Sequence, residues 1–368
     1  MLKQAFLVFF FVFVLLISLF WVYLYFTPVG EEQSDDPLGE IGETNEEKEA
    51  EEEAEEEEPV EQDHVEEPEE GSEAANHNWV GKEVEEYQEL HGEPIRSGPS
   101  AYDYDWQMYH LDEGYTGIGV SNGTIVMVAN MGESIQDEEV RAGMSREEIE
   151  SAYTFSEDVD VEVDQRQYTF HIEDEAYSIR PLAEIDNIFV QAYFDTVQNE
   201  LVAIRYLTAE LLLDHRPYSV TYQGALPERP SHTRQEWQAI ENSSKYRVHD
   251  WNNGIRDHYE LPSLEWDDNA AAAAFSHSEQ MAVEGFFSHT APDGTDLGER
   301  LEAHGATYTA AGENLASQYT DSLAAVVGWL NSEGHRENVL HEEFTHHGAG
   351  VYERYFTQNF IVPLEEHP

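Results

Sequence analysis

The chain has 368 residues, no cysteine, 77 acidic against 18 basic residues, and a formal net charge of −59 at pH 7. Its length allows two globular domains with appended segments, and a hydrophobic content of 40% is enough for buried cores. The missing cysteines exclude disulfides, thiolate catalysis and cysteine-ligated zinc. The negative charge argues against nucleic acid and anionic lipid headgroups as partners, because like charges repel.

An almost unbroken apolar run covers residues 5–26. About 20 such residues span a bilayer, and aromatic side chains at its outer end, among them Trp21 and Tyr23, favour the membrane interface. Because Lys3 precedes the run and dense acid follows it, we expect segment 1–30 to be an uncleaved anchor whose partner is the cell membrane. The protein would then be single-pass with its bulk extracytoplasmic. The alternative is a cleaved signal peptide and a secreted protein.

Residues 31–76 form a low-complexity acidic segment in which Lys48 is the one Lys or Arg. Such a composition cannot bury enough apolar surface to offset the entropy of ordering, so we predict a disordered tether. Mutual repulsion of its carboxylates extends it, which would hold the remaining chain away from the membrane.

Residues 77–224 are predicted to fold as an α+β domain with two internal repeats. Each repeat starts with a glycine and a short acidic helix, at Gly81 and at Gly143, and continues with strands of alternating character. Asn122-Gly123 between two apolar runs is a strong hairpin signal. We therefore expect two similar lobes, each a short helix with antiparallel strands.

An aromatic stripe follows the first helix of this domain. Its members are Tyr102, Tyr104, Trp106 and Tyr109. Aromatic residues are common in strands, so packing within the sheet is the favoured interpretation. The alternative is a platform for sugar rings.

Residues 225–245 contain Pro227 and Pro230 and are predicted to be a linker. A helix should begin near its middle, with Thr233 or Ser231 as the N-cap.

Residues 246–363 are predicted to form a second α+β domain. Two longer helices are expected over residues 245–258 and 267–284, and two strands over residues 348–352 and 356–362. Gly285 is placed to end the second helix as a C-cap. Phe286 and Phe287 should fill the core and thereby fix the next histidine.

Several motifs of this domain occur in an order that resembles the bacterial branch of the CAP superfamily (cysteine-rich secretory proteins, antigen 5, pathogenesis-related 1). They are FFSH at 286–289, GENLA at 312–316, WLNSEGHREN at 329–338 and HHGAGV at 346–351. The resemblance implies a three-layer α-β-α sandwich with a central antiparallel sheet. In the preceding domain, GEPIR, YDYDW and SNGTIV are similar to the module often found N-terminal to bacterial CAP domains.

The resemblance places His289, Glu313 and His335 together in the central cavity of the CAP-like domain. Two imidazoles and one carboxylate could hold a divalent metal such as zinc with an open coordination position. Without a metal, the same groups could act as a general acid/base pair. Family members often carry a second glutamate, for which Glu333 is the nearest but doubtful counterpart. Ser288 would need a base within reach to serve as a nucleophile, and we expect it to be a loop hydrogen-bonder.

A structural interpretation competes with these chemical ones. Asn314, Arg336 and Asn338 flank the cluster and could lock its loops by hydrogen bonding. His277 is expected to be a packed helix residue. A further group, His341, His346 and His347, is not expected to form a joint site, because adjacent residues on a strand point to opposite faces.

Three functions are compatible with the sequence. The favoured one is a cell-envelope binding module that holds a lipid, peptide or wall fragment. The second is a hydrolase, metal-dependent or not, acting on peptide or wall material. The third is a structural component of the envelope or spore coat. The sequence does not decide whether the protein is an enzyme.

Overall fold

The computed structural model describes residues 76–111, 114–135 and 139–364. The expected membrane anchor and the acidic tether lie outside the described residues. Within the described ranges, no helix is long and apolar enough to cross a bilayer. Helices and strands are mixed along the whole described chain, which confirms the α+β prediction.

Nine α-helices lie in the described part of the chain: α1 Val84–His91, α2 Arg146–Ala152, α3 Asp174–Ile179, α4 Ala209–His215, α5 Arg234–His258, α6 Asp268–Glu284, α7 Leu297–Ala303, α8 Ser322–Leu330 and α9 Glu333–Val339. The same part has fourteen strands: β1 Arg96–Pro99, β2 Asp105–Leu111, β3 Gly114–Ser121, β4 Thr124–Met131, β5 Asp158–Val163, β6 Arg166–His171, β7 Leu182–Ile185, β8 Ile188–Asp195, β9 Glu200–Leu207, β10 Ser219–Tyr222, β11 Glu265–Trp266, β12 Tyr308–Ser317, β13 His346–Tyr352 and β14 Tyr355–Pro363.

The two halves of the predicted repeat share one antiparallel sheet. Its strand order is β1-β2-β3-β4-β9-β8-β7, and the halves meet where β4 pairs with β9, for example Met127 opposite Leu207. The β3–β4 hairpin turns at Asn122 and Gly123, whose φ angles of 51° and 87° are those of the predicted tight turn. Strands β10, β6 and β5 form a separate three-stranded sheet.

The aromatic stripe on and before β2 is buried. Tyr102 and Tyr104 are 5% exposed and Trp106 is 2% exposed, so the packing interpretation is confirmed. The Trp106 ring meets Trp251 of α5 edge-on, with ring centroids 6.3 Å apart. Tyr102, Tyr104 and Trp106 therefore belong to the core that α5 shares, whereas Tyr109 points to the other face of the sheet and packs on Tyr87.

Helix α5 is one continuous element of 25 residues. Thr233 caps it, and its hydroxyl accepts from the backbone N–H of Glu236 while the Glu236 side chain bonds back to the cap. Residues 234–245, which the sequence assigned to a linker, are thus helical, and the expected domain start at 246 falls inside the helix. The sequence signal for the cap was correct, but it did not reveal that the two helical patterns join.

The second domain has a four-stranded sheet of order β11-β13-β14-β12. On β13, His347 and Gly348 point to opposite faces because strand side chains alternate. His347 contacts His249 of α5, whereas a Cβ on Gly348 would collide with the backbone of α6 at Ala271. Helices α5 and α6 therefore cover opposite faces, which gives the expected three-layer α-β-α arrangement.

Polar contacts join the two domains. Arg205 of β9 donates to Asp321, the N-cap of α8, at 2.6 Å, and both side chains are buried. Asn331, directly after α8, accepts from the backbone N–H and the hydroxyl of Thr196 at 2.8 and 2.7 Å. Buried apolar side chains of the seven-stranded sheet and of the CAP-like domain also belong to one hydrophobic core.

Candidate functional site

The candidate site lies where a loop and the helix α7 approach β12. Helix α6 ends at Gly285, whose φ of 72° is left-handed as a C-cap requires. The loop that follows carries His289. Asp296 then caps α7 and is bonded in return by Glu299, which fixes the helix that carries Arg300.

His289 and Glu313 are in direct contact. The imidazole Nδ1 lies 2.9 Å from Glu313 Oε1, and Arg300 Nη2 donates to both carboxylate oxygens at 2.9 and 2.7 Å. Glu313 and Arg300 are buried, with side-chain exposures of 2% and 6%, whereas His289 is 58% exposed. A buried ion pair thus holds an imidazole that faces solvent.

His335 lies on α9 beside this pair and is half-buried. Burial lowers its pKa, and the positive charge that His289 can carry lowers the pKa further. Asn314 donates to the backbone carbonyl of His335 at 3.1 Å. Asn338 donates to the Glu313 carbonyl at 3.3 Å and to Asn314 Oδ1 at 2.9 Å, so these amides hold α9 against β12 as expected.

The inner side of the loop rests on His277 of α6. This imidazole is fully buried and its Nε2 donates to the backbone carbonyl of Ser288 at 2.9 Å. The Ser288 hydroxyl accepts from the backbone N–H of Thr290 at 3.2 Å, which is the expected loop role. The expectation that Phe287 fills the core is wrong: its side chain is 42% exposed, while Phe286 is half-buried and packs on His277.

The cluster does not fit a resident divalent cation as it stands. In the described residues, no group of three or more His, Asp or Glu side chains stands in a metal-holding arrangement. The carboxylate of Glu313 already faces the positive guanidinium of Arg300, which a cation would have to displace against charge repulsion. Glu333, the doubtful second glutamate, is exposed at the first residue of α9.

The three further candidate histidines, His341, His346 and His347, make their contacts outside this cluster. His347 is buried against His249, with their Nδ1 atoms 3.1 Å apart, whereas the neighbouring His346 is partly exposed. The ring of His341 packs on Phe344. The expectation that these three do not form a joint site agrees with this geometry.

Sequence reasoning missed Arg300. The signal that could have found it is the Arg-Leu pair at 300–301, which stands between the FFSH and GENLA motifs. Arg336 was expected to lock a loop, and its Nη1 donates to the backbone carbonyl of Leu330 at the end of α8, at 3.1 Å. The same Nη1 also lies 2.7 Å from Asp195 Oδ2 at the end of β8, a contact across the domain boundary that the sequence did not signal.

Comparison with known proteins gives this arrangement a family. Residues 80–218 match the family described as CAP-associated N-terminal, and residues 249–362 match the cysteine-rich secretory protein family, CAP. Over 285 residues the chain is 38% identical to the "Uncharacterized membrane protein YlbC" of Bacillus subtilis (strain 168), covering 77% of this chain and 82% of that protein. The chain belongs to the CAP family.

Further relatives agree with the CAP assignment. The "Uncharacterized protein YkwD" of B. subtilis is 33% identical over 117 residues, which cover 31% of this chain and 46% of that protein. The crystal structure of an extracellular protein containing a SCP domain from Bacillus anthracis has a TM-score of 0.75 and 35% identity, covering 81% of this CAP protein and 99% of that chain. A cysteine-rich secretory protein from Staphylococcus aureus has a TM-score of 0.68, 22% identity, and coverages of 77% and 94%, and it supports the fold alone.

Proposed function

We propose that this CAP protein is an extracytoplasmic, membrane-anchored binding module of the cell envelope that contacts its ligand through His289. The observation that carries the proposal is the exposed imidazole of His289 held by the buried Glu313–Arg300 pair. With Nδ1 engaged, Nε2 is left to meet a ligand. A polar group fixed in advance by buried partners loses little entropy on binding, which favours recognition.

The envelope location is supported by three further observations. The apolar run at residues 5–26 is long enough for an anchor, and a relative that is 38% identical is named a membrane protein. The related B. anthracis chain is described as extracellular. Together they favour a protein tethered at the membrane with both folded domains outside it.

The net charge of −59 limits the classes of ligand that the protein can attract. A strongly acidic surface repels anionic lipids and anionic wall polymers at long range. Cationic wall peptides are attracted by such a surface, and neutral ones are not repelled. We therefore propose the peptide part of the wall as the ligand of the His289 cluster.

The proposal is tested by co-sedimentation with insoluble wall sacculi stripped of their anionic polymers. The full-length protein in a non-ionic detergent should sediment with the sacculi, and His289→Ala should reduce the bound fraction about ten-fold, the loss of one good hydrogen bond to a ligand. His304→Ala removes another exposed histidine, the one directly after α7, and should bind like the wild type. Equal sedimentation of His289→Ala and wild type, or none of either, would refute the proposal.

A hydrolase is the second candidate, favoured by the 2.9 Å contact between His289 Nδ1 and Glu313. A carboxylate at Nδ1 orients an imidazole whose Nε2 can act as a general base. The arrangement lacks a partner nucleophile, because no hydroxyl among the described side chains hydrogen-bonds to His289. Release of soluble peptide from the same sacculi by wild type, absent with His289→Ala, His335→Ala, would replace the binding proposal with hydrolysis.

A further inference from the structure

A second site lies away from the His289 cluster, in a cavity of about 420 Å³ between the two domains. Its N-terminal wall is formed by α3 and by the segment that joins α4 to β10. Its other wall comes from the CAP domain, where residues after β12 and the β13–β14 turn reach across. Arg180, Arg216 and Arg354 line it together with the rings of Tyr218 and Tyr319.

The charge of this cavity is opposite to that of the protein. The chain has 18 basic residues against 77 acidic ones, yet three arginines converge here. Among the described residues, every arginine in an ion pair is a different one, so Arg180, Arg216 and Arg354 have no carboxylate partner within 4 Å. Arg180 donates to the backbone carbonyl of Pro217, and Arg216 donates to backbone carbonyls as well. Arginines that lack a carboxylate partner at one concave place are unexpected for a chain with so many available carboxylates.

Neighbouring groups strengthen the positive field. Burial lowers the pKa of Arg229, and the charges of Arg354 and Arg216 lower it further. His215, which also lines the cavity, is 1% exposed, and burial together with nearby arginines lowers its pKa to about 3. It is therefore neutral and contributes a hydrogen-bonding ring, not an additional charge.

Several polar groups of the cavity are incompletely satisfied. The Nε of Arg180 and the Nδ1 of His215 are buried without a hydrogen-bond partner among the described residues. Arg354 makes one long contact, 3.4 Å from Nη2 to the hydroxyl of Tyr102. A buried polar group without a hydrogen bond costs about 1–3 kcal/mol of stability. Such groups in a native protein call for an explanation, and a ligand that binds there is one.

We propose that this interdomain cavity binds one small organic oxyanion, a carboxylate or a phosphate monoester, through Arg180 and Arg354. Guanidinium groups bind such anions through parallel charge-assisted hydrogen bonds. The rings of Tyr218 and Tyr319 would pack against the organic part of the ligand.

The lining also sets the limit on ligand charge. Glu173, the N-cap residue of α3, and Glu175 within that helix line the same cavity and are exposed. Their carboxylates would repel a polymer with repeated negative charges, whereas a single anion can be held beyond them by the arginines. The site is thus suited to a small molecule.

The test is isothermal titration of the full-length protein, kept in a non-ionic detergent, with phenyl phosphate and with benzoate. Sodium chloride holds the ionic strength constant, and inorganic phosphate is titrated to measure what the ring adds. We expect saturable one-to-one binding. The ligand that binds more tightly identifies phosphate monoester or carboxylate as the natural head group.

Arg354→Gln and Arg180→Gln should each weaken binding at least about ten-fold, the loss expected for one charge-assisted hydrogen bond. Arg166→Gln is the matched control, because Arg166 is an exposed arginine of β6 and its removal changes the net charge equally. Arg354 lies in a surface turn, so its variant should fold even if the Arg180 variant does not. Two outcomes would overturn the proposal. One is the absence of saturable heat with either ligand up to about 10 mM, which would mean a binding free energy weaker than about −3 kcal/mol. The other is an unchanged affinity in Arg354→Gln.

Discussion

The guanidinium Nη1 of Arg336 lies 2.7 Å from Oδ2 of Asp195. Arg336 directly follows His335 on α9, and Asp195 is a fully buried residue at the end of β8 in the N-terminal domain. The hydroxyl of Tyr259 also donates to this carboxylate. The N-terminal domain therefore fixes the helix on which one of the site histidines is carried.

Replacing Asp195 by Asn should destabilise the protein strongly. The substitution leaves Arg336 without its partner in a largely buried position, and removing one member of a buried pair costs about 3–5 kcal/mol. Urea unfolding of the full-length protein measures the free energy. Glu150→Gln, which breaks the exposed Arg146–Glu150 pair, should cost less than about 1 kcal/mol. Similar small losses in both variants would mean that the interdomain pair contributes little.

The free energy of unfolding should decrease as pH is lowered, because His249 and His347 are buried as neutral rings. Burial lowers the pKa of His249 to about 4 and lowers that of His347 well below its ordinary value near 6.5. The unfolded chain takes up these protons below about pH 6.5, whereas the folded chain does not. The stability from the neutral rings is complete above that pH and is lost as pH falls towards 4, at about 1.4 kcal/mol per pH unit for each histidine.

Urea unfolding at about pH 7.5 and about pH 5.5 checks this pH dependence. His347→Gln should lose less stability between the two conditions than the wild type, because one of the two buried rings can no longer be protonated on unfolding. His304→Gln, a change at an exposed histidine, should behave as the wild type does. An identical pH slope in His347→Gln and wild type would contradict the assignment.

Zinc content tests how Arg300 affects the His289–Glu313 cluster. Because the guanidinium occupies both oxygens of Glu313, the wild type should keep far less than one zinc per chain after loading and gel filtration. Arg300→Gln removes the positive charge and should raise the zinc content. Arg166→Gln should leave it unchanged. One zinc per wild-type chain that disappears in His289→Ala, His335→Ala would instead support the metal site expected from sequence.

Gly350→Ala should prevent the CAP domain from folding. A Cβ on Gly350 would collide with the backbone of α6 at Phe275, and two rigid elements cannot separate by that much without opening the core. The soluble yield and the far-ultraviolet circular dichroism report the outcome. Gly334→Ala, where a Cβ meets nothing within 4 Å, should fold normally and gain a little helix stability. A well-folded Gly350→Ala protein would show that α6 packs less closely on β13.

Local features of the fold were predictable from sequence, because the residues that determine them are close in the chain. The capping box of Thr233 and Glu236 spans four residues, and the turn at Asn122 and Gly123 spans two. Phe287 was placed wrongly because its apolar character does not tell which way a loop side chain points. Its exposure depends on how the loop is held by His277.

The candidate site was predictable in its residues but not in its electrostatics. The motifs identified His289 and Glu313, which the structure brings into contact. They did not reveal that Arg300 binds the carboxylate, since the pairing depends on how α7 docks beside β12. The contact between Arg336 and Asp195 joins positions 141 residues apart, and nothing in either local sequence signals the other.

Because both domains pack on helix α5, we expect them to be inherited together. Its cap at Thr233 lies before the CAP match, which begins at residue 249, while Trp251 within that match packs on Trp106 of the preceding domain. Recombination between the two coding regions would either truncate the helix or leave its apolar side without a cover. Descendants of such an exchange would fold poorly and be lost, so this pair of domains is expected to pass through duplication and transfer undivided.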